Sequence, residues 1–437
     1  MYRNTPSQLT RPRRVLLRGL AGTALAIGLL LTGPLCDPVF AAKKHGAEHA
    51  GKPAGAPQAS STATKETPAP APGSDAGGAQ GIDTSARNAI IVDFDTGAVL
   101  LDKNADQRMP PASMGKIMTA YMVYDALKKG KISLEDTLPV SEKAWRVQLN
   151  DSSTMFLDIN SKAKIEDLIR GLIVVSGNDA ATVLAEGLAG SEAAFVEQMN
   201  DKAQELGLTG SHFANPHGLP DPEEYMTARD LATLARRLIV DFPDYYHYDA
   251  EKYFTYNGHT QGNRNPLLYK DLGVDGMKTG HTEEAGYCLT ASAIRNGRRI
   301  ILVTAGLATM KAREEENERL LEWAYRTFND YELIKAGDTL DQADVWLGAQ
   351  AKVPVTTTKN VEITLPREAR RSLKVTAVYE GPVKAPVTQG EEAGKLVITA
   401  DGIDPIEVPL VAAQPVPRLG VFGRVVAAGG QLVWGRH

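Results

Sequence analysis

Three short polar motifs, far apart in the chain, each stand where one kind of structure gives way to another. Ser113-Met114-Gly115-Lys116 opens an apolar helix just after the stop Pro110-Pro111-Ala112. Ser176-Gly177-Asn178 closes the apolar run from Leu172 to Val175. Lys278-Thr279-Gly280 enters a strand. A fold that gathers all three has to bring a helix start, an interhelical turn and a strand to one place.

The chemistry of the motifs is that of a serine activated by lysines rather than by histidine. A serine hydroxyl is a weak nucleophile until a nearby base takes its proton. Ser113 and Lys116 are three residues apart and share one helix face. The positive end of the helix, a second ammonium from Lys278 and partial burial all lower the pKa of Lys116, as a base near neutral pH requires. Ser161-Lys162-Ala163-Lys164 repeats the Ser-x-x-Lys spacing, but it lies in a polar stretch and reads as a solvated loop.

For Ser176-Gly177-Asn178 two readings stand side by side. Ser176 can relay a proton between Lys116 and a leaving amine while Asn178 holds a substrate carbonyl. Equally, the segment can be the C-cap of one helix joined to the N-cap of the next. Around Lys278 and Thr279, an extended edge strand can pair with a peptide, and Gly280 permits close approach of that substrate. The backbone N–H groups of Ser113 and His281 are the natural pair for an oxyanion hole. Arg264 and Arg313 carry guanidinium forks that match a carboxylate, although either can also be a surface ion pair. His217 follows Asn215-Pro216 in a loop, and no spacing resembles a metal-binding helix pair. No metal and no cofactor is expected.

The 437 residues exceed one ordinary domain. Arg11, Arg13, Arg14 and Arg18 precede an apolar run from Leu20 to Leu31, followed by Val39-Phe40-Ala41. Residues 1–41 therefore read as an export signal, with an uncleaved anchor as the alternative. The chain carries a formal charge of −5, and losing that arginine-rich segment makes the rest more acidic. An acidic body argues against nucleic acid as a partner. Cys288 is then left alone, a buried structural thiol rather than a nucleophile.

Residues 42–84 are rich in Ala, Gly, Pro, Ser and Thr and read as a disordered linker. Residues 85–335 read as the catalytic domain. A hairpin is expected over 88–101, then helices over Ile165–Val175, Asp179–Leu188, Glu192–Leu206 and Ala228–Val240. Strands follow over Tyr287–Ala293 and Arg299–Gly306, and an amphipathic helix over Glu314–Phe328. This order predicts a mixed α/β (α+β) domain, with helices clustered against an antiparallel sheet. Residues 338–411, with short β-branched runs, predict a small all-β domain. In 417–437, Leu419, Phe422, Val426 and Val433 share a helical face opposite Arg424 and Gln431. That amphipathic tail reads as lying on a membrane surface, with a core-packing or frayed tail as the alternative.

With these motifs placed, the chain resembles the serine-type D-Ala-D-Ala carboxypeptidases of the low-molecular-mass penicillin-binding protein group (peptidase family S11). Ser176-Gly177-Asn178-Asp179-Ala180, His212-Phe213, His217-Gly218-Leu219, Ala228-Arg229-Asp230 and Gly276-Met277-Lys278-Thr279-Gly280-His281-Thr282 carry the resemblance beyond the three motifs. It implies a β-lactamase/transpeptidase-like fold and Ser113 as the acylated nucleophile. Lys116 becomes the proton acceptor, and Ser176, Asn178, Lys278 and Thr279 the relay and binding set. Arg313, and Arg264 in a matching place, would bind the terminal carboxylate.

The implied substrate is the pentapeptide stem of peptidoglycan, with β-lactams acylating the same serine. The implied location is periplasmic, on the outer face of the cytoplasmic membrane. A D,D-endopeptidase acting on cross-linked stems shares the site and stays open as an alternative. A class A β-lactamase needs a Glu-x-x-Leu-Asn element that is not found, and a silent wall-binding protein has no use for an intact motif set.

Overall fold

The computed structural model describes residues 82–149 and 153–426. The expected export signal, all but the end of the expected linker, and the tail beyond 426 lie outside the described residues.

The catalytic part is built on a five-stranded sheet. Its strands are β1 (Asn88–Asp93), β2 (Val99–Lys103), β3 (Val274–Thr282), β4 (Gly286–Arg295) and β5 (Arg298–Leu307), in the order β2-β1-β5-β4-β3. Each neighbouring pair is antiparallel. The sheet is apolar on both faces, and residues one apart divide between them. Ile90, Ile301 and Val303 join the large core under the helices, while Ile91, Ile300 and Leu302 join a second core. Helix α7 (Met310–Thr327) supplies Leu320, Leu321, Trp323 and Ala324 to that second core.

The helices on the other face are α1 (Lys116–Lys128), α2 (Glu142–Val147), α3 (Ile165–Ile173), α4 (Asn178–Ala189), α5 (Glu192–Glu205) and α6 (Ala228–Asp241); α7 is Met310–Thr327. Side-chain caps set several starts: Ser191 accepts from Ala194 N–H, Thr227 from Asp230, and Thr309 from Ala312. The Thr309 cap starts α7 four residues ahead of the expected Glu314, because a capping hydroxyl, not the first apolar residue, ends the preceding strand. The stretch around Ser161 also differs from expectation. Lys162–Lys164 is a short strand paired with Thr137–Pro139 rather than a loop, and both lysines are exposed.

The C-terminal part is all β. Strand β6 (Phe328–Ile334) leaves α7 directly and pairs with β9 (Val361–Pro366). A second sheet contains β7 (Asp341–Trp346), β8 (Lys352–Thr356), β10 (Lys374–Val378), β11 (Val383–Lys384), β12 (Glu392–Thr399) and β13 (Ile406–Ala412). Strand pairing therefore begins at Phe328, ahead of the boundary expected near 338. It is Phe328 that packs on Trp323, with ring centroids 5.3 Å apart. Past the last strand, Arg418 bridges Gly348, and residues 421–426 are helical.

Candidate active site

Ser113 sits in a single 3-10 turn, Ala112–Gly115, that runs straight into α1. Ala112 enters that turn at φ 47, a left-handed backbone that costs a non-glycine residue about 1–3 kcal/mol. Lys116 is the first residue of α1 and is fully buried, at 1% exposure. Its amine makes three hydrogen bonds: to Ser113 Oγ at 2.9 Å, to Asn178 Oδ1 at 2.7 Å and to the His217 carbonyl at 2.7 Å. Burial, reinforced by the Arg264 charge, brings its pKa down to about 7 against the opposing pull of Asp179 and Glu224.

Ser176 and Asn178 flank the joint between α3 and α4. Ser176 is buried with φ 63, a second strained non-glycine residue at the site. Its hydroxyl holds no hydrogen bond among the described residues. The Asn178 amide oxygen faces Lys116, which leaves its NH₂ for another partner. Asp179 fixes the joint from behind, accepting from Thr154 Oγ1 at 2.6 Å and from the N–H groups of Met155 and Leu157.

Strand β3 is an unpaired edge of the five-stranded sheet. Lys278 and Thr279 are buried on it, and the Lys278 amine contacts the Thr279 carbonyl at 3.1 Å. Burial, then the like charges of Lys116, Arg264 and Arg313, push Lys278 well below the ordinary lysine value, while Asp249 opposes them. Gly280 packs against the serine turn. A Cβ there would stand 3.0 Å from both the Pro111 carbonyl and the Ala112 methyl. The glycine thus makes room for the serine turn. The exposed His281 ring packs on Tyr287 with ring centroids 4.0 Å apart.

Arg313, in the second turn of α7, is buried at 5% exposure. Among the described residues it forms no ion pair; its guanidinium reaches the Arg264 carbonyl at 3.4 Å, and its Nε is unsatisfied. Arg264 is exposed and anchored by its Nε to the Val175 carbonyl at 3.1 Å, beside Ser176. Burial lowers the pKa of both arginines. Among the described residues neither arginine has a carboxylate partner, and their charges act on the two buried lysines with like sign.

The structure thus brings Ser113, Lys116, Ser176, Asn178, Lys278, Thr279, Gly280, His281, Arg264 and Arg313 into one neighbourhood. Among the described residues no cluster of His, Cys, Asp and Glu is arranged to hold a metal ion. Sequence reasoning missed the His217 carbonyl, because a backbone acceptor has no residue-type signature. The His217 ring itself is turned away and bonds Thr182 Oγ1 at 2.8 Å.

A serine held by a buried, neutral-range lysine at the edge of an antiparallel sheet defines the lysine-assisted class of serine acyl-transfer sites. Residues 75–309 match the D-alanyl-D-alanine carboxypeptidase family model, and 328–418 match the C-terminal domain of penicillin-binding protein 5. The chain belongs to the D-alanyl-D-alanine carboxypeptidase family. It is 41% identical over 346 residues to D-alanyl-D-alanine carboxypeptidase DacA of Haemophilus influenzae, covering 78% of this chain and 88% of the relative. It is 40% identical to DacC of Escherichia coli, covering 78% of this chain and 86% of the relative. The crystal structure of penicillin-binding protein 5 from Haemophilus influenzae superposes with a TM-score of 0.73 at 40% identity, over 78% of this chain and all of that one.

Proposed function

We propose that this protein removes the terminal D-alanine from peptidoglycan stem peptides, with Ser113 attacking the carbonyl of the terminal D-alanyl-D-alanine bond. Lys116 takes the serine proton. An acyl ester forms on Ser113 as D-alanine leaves, and water then hydrolyses the ester.

The three acceptors of Lys116 carry this reading. Asn178 Oδ1 and the His217 carbonyl can only accept, whereas Ser113 Oγ can also donate. A neutral amine has two N–H groups and one lone pair. It spends both N–H groups on Asn178 and His217, and its lone pair faces the serine hydroxyl. Deprotonation of Lys116 therefore has one outcome, an amine poised to receive the Ser113 proton.

The remaining roles follow from position. The Asn178 NH₂ and the edge of β3 bind the peptide backbone. The N–H groups of Ser113 and His281 hold the oxyanion, and Ser176 passes a proton to the leaving amine. Lys278 and Thr279, with Arg264 and Arg313, take the substrate's terminal carboxylate. A β-lactam, also an amide with a nearby carboxylate, acylates the same serine.

The substitution S113A tests the whole reading. It is expected to abolish both D-alanine release from a pentapeptide and covalent labelling by a fluorescent penicillin. Retention of either activity overturns it.

The same reading places the mature protein outside the cytoplasmic membrane and peripheral to it. No helix among the described residues is long and apolar enough to cross a membrane. At the end of the described chain, Val421, Phe422, Val425 and Val426 are all exposed, Phe422 at 90%. A cluster of exposed apolar side chains on one short helix supports docking on a lipid surface.

A further inference from the structure

The loop 214–219 fixes Lys116 without placing a side chain in the reaction. The Pro216 carbonyl accepts from Thr119 Oγ1 at 2.7 Å, and the His217 carbonyl accepts from the Lys116 amine at 2.7 Å. The loop is in turn held from behind. Asn215 Oδ1 accepts the N–H groups of His217 and Leu219 at 3.1 and 3.0 Å. One oxygen of the Glu224 carboxyl accepts the N–H groups of Ala214 and Asn215 at 2.6 and 3.1 Å. The other oxygen is buried and holds no hydrogen bond among the described residues. It lies 3.3 Å from where a Cβ on Gly115, the neighbour of Lys116, would stand.

We propose that Glu224 is a positioning residue for the reaction at Ser113, acting through the loop 214–218 and through its own charge on the buried amine of Lys116. The inference rests on Lys116 being the base.

A neutral side chain with an amide oxygen would satisfy the same two N–H groups. A carboxyl at 5% exposure carries a desolvation cost that this hydrogen bonding does not require. Its second oxygen, aimed at the serine turn, is where the charge has an effect. Burial pushes Glu224 up to about 7, with Asp221 adding to the rise and the two backbone N–H groups and His212 opposing it. Lys116 stands in the same range. Around that amine, Glu224 and Asp179 favour the ammonium form. Arg264 disfavours it, and the Lys278 ammonium on β3 acts with the same sign. The Glu224 carboxylate and the Lys116 ammonium each favour the other's charged form.

The substitution E224Q keeps an oxygen for the two N–H groups and removes the charge. Because a carboxylate favours the ammonium, its loss lowers the Lys116 pKa. The acid limb of Ser113 acylation by a fluorescent penicillin is then expected to move down by roughly one pH unit, with the plateau rate nearly unchanged. E224A leaves both N–H groups unpaired and is expected to lose acylation rate about tenfold at every pH. In the parent enzyme labelled with [¹³C]glutamate, NMR is expected to find one glutamate carboxyl titrating near neutrality, with a midpoint that shifts once Ser113 is acylated.

An E224Q limb that coincides with the parent's, or no glutamate carboxyl titrating near neutrality, overturns the proposal. If E224Q does not fold, the NMR titration of the parent decides alone. Failure of the parent itself to be acylated is a different result, and overturns the reading of Ser113 and Lys116 instead.

Discussion

The guanidinium of Arg313 lies 5.8 Å from the centre of the Tyr287 ring, and no carboxylate among the described residues neutralises it. A buried cation whose contacts among the described residues are an aromatic face and a backbone carbonyl, with the like charge of Arg264 nearby, is poorly compensated. The substitution R313M is expected to stabilise the free protein by about 1 kcal/mol. It should also lower kcat/KM for a D-alanyl-D-alanine peptide by about 10- to 100-fold. Thermal unfolding and steady-state kinetics on one preparation check both halves.

Acylation is expected to need the neutral form of Lys116. Its rate should rise with pH through a midpoint near 7, since burial brings this amine down to about 7. Stability shifts in the same direction. Between that value and the ordinary 10.5 the unfolded chain holds the proton that the folded chain has lost. The contribution of Lys116 to stability therefore improves as pH rises across that window. Stopped-flow acylation against pH tests the first statement, and denaturant midpoints of the parent and K116M against pH test the second.

Gly218 cannot carry a side chain. Its φ is 71, and a Cβ there would fall 1.9 Å from the Ala112 carbonyl oxygen, immediately before Ser113. G218A is expected to cost about 3 kcal/mol of stability and to displace the serine turn. Slower penicillin acylation in protein that still folds is the expected result; unchanged acylation would contradict the packing described.

Across the junction of the two parts, Arg298 Nε bonds Asp93 at 2.9 Å and Asp330 at 3.0 Å. Thr96 and Thr364 meet beside them at 2.6 Å. Removing the arginine leaves two partly or fully buried carboxylates facing one another. R298A is expected to cost about 3 kcal/mol and to split calorimetric unfolding into two transitions.

The double substitution V421E/F422E changes only exposed side chains. It is expected to leave acylation by penicillin unchanged and to reduce co-sedimentation with anionic vesicles at least about tenfold. Equal vesicle binding by parent and variant would remove the membrane reading.

Much of this was legible in the residues because it depends on period and punctuation. The alternation through Ile300, Ile301 and Leu302, the Pro110-Pro111 stop and the apolar run before Ser176 all act over a few neighbours. What stayed hidden acts across the chain. Nothing near Glu224 announces that its carboxyl holds a loop ten residues upstream. Lys162 and Lys164 look like loop residues until Thr137–Pro139 pairs with them. At Gly280 the sequence records a missing side chain but not that the serine turn packs against it.

That gap at Gly280 has a consequence for how the enzyme keeps its tolerances. The serine turn and the edge of β3 meet at close quarters there, with the Pro111 carbonyl, the Ala112 methyl and the Met114 side chain all within 3.3 Å of where a Cβ would stand. Strain elsewhere in the sheet that moves this edge therefore moves the serine turn with it. Loosening of the hydrophobic interior can slow this enzyme or unfold it, but should leave the choice of scissile bond unchanged.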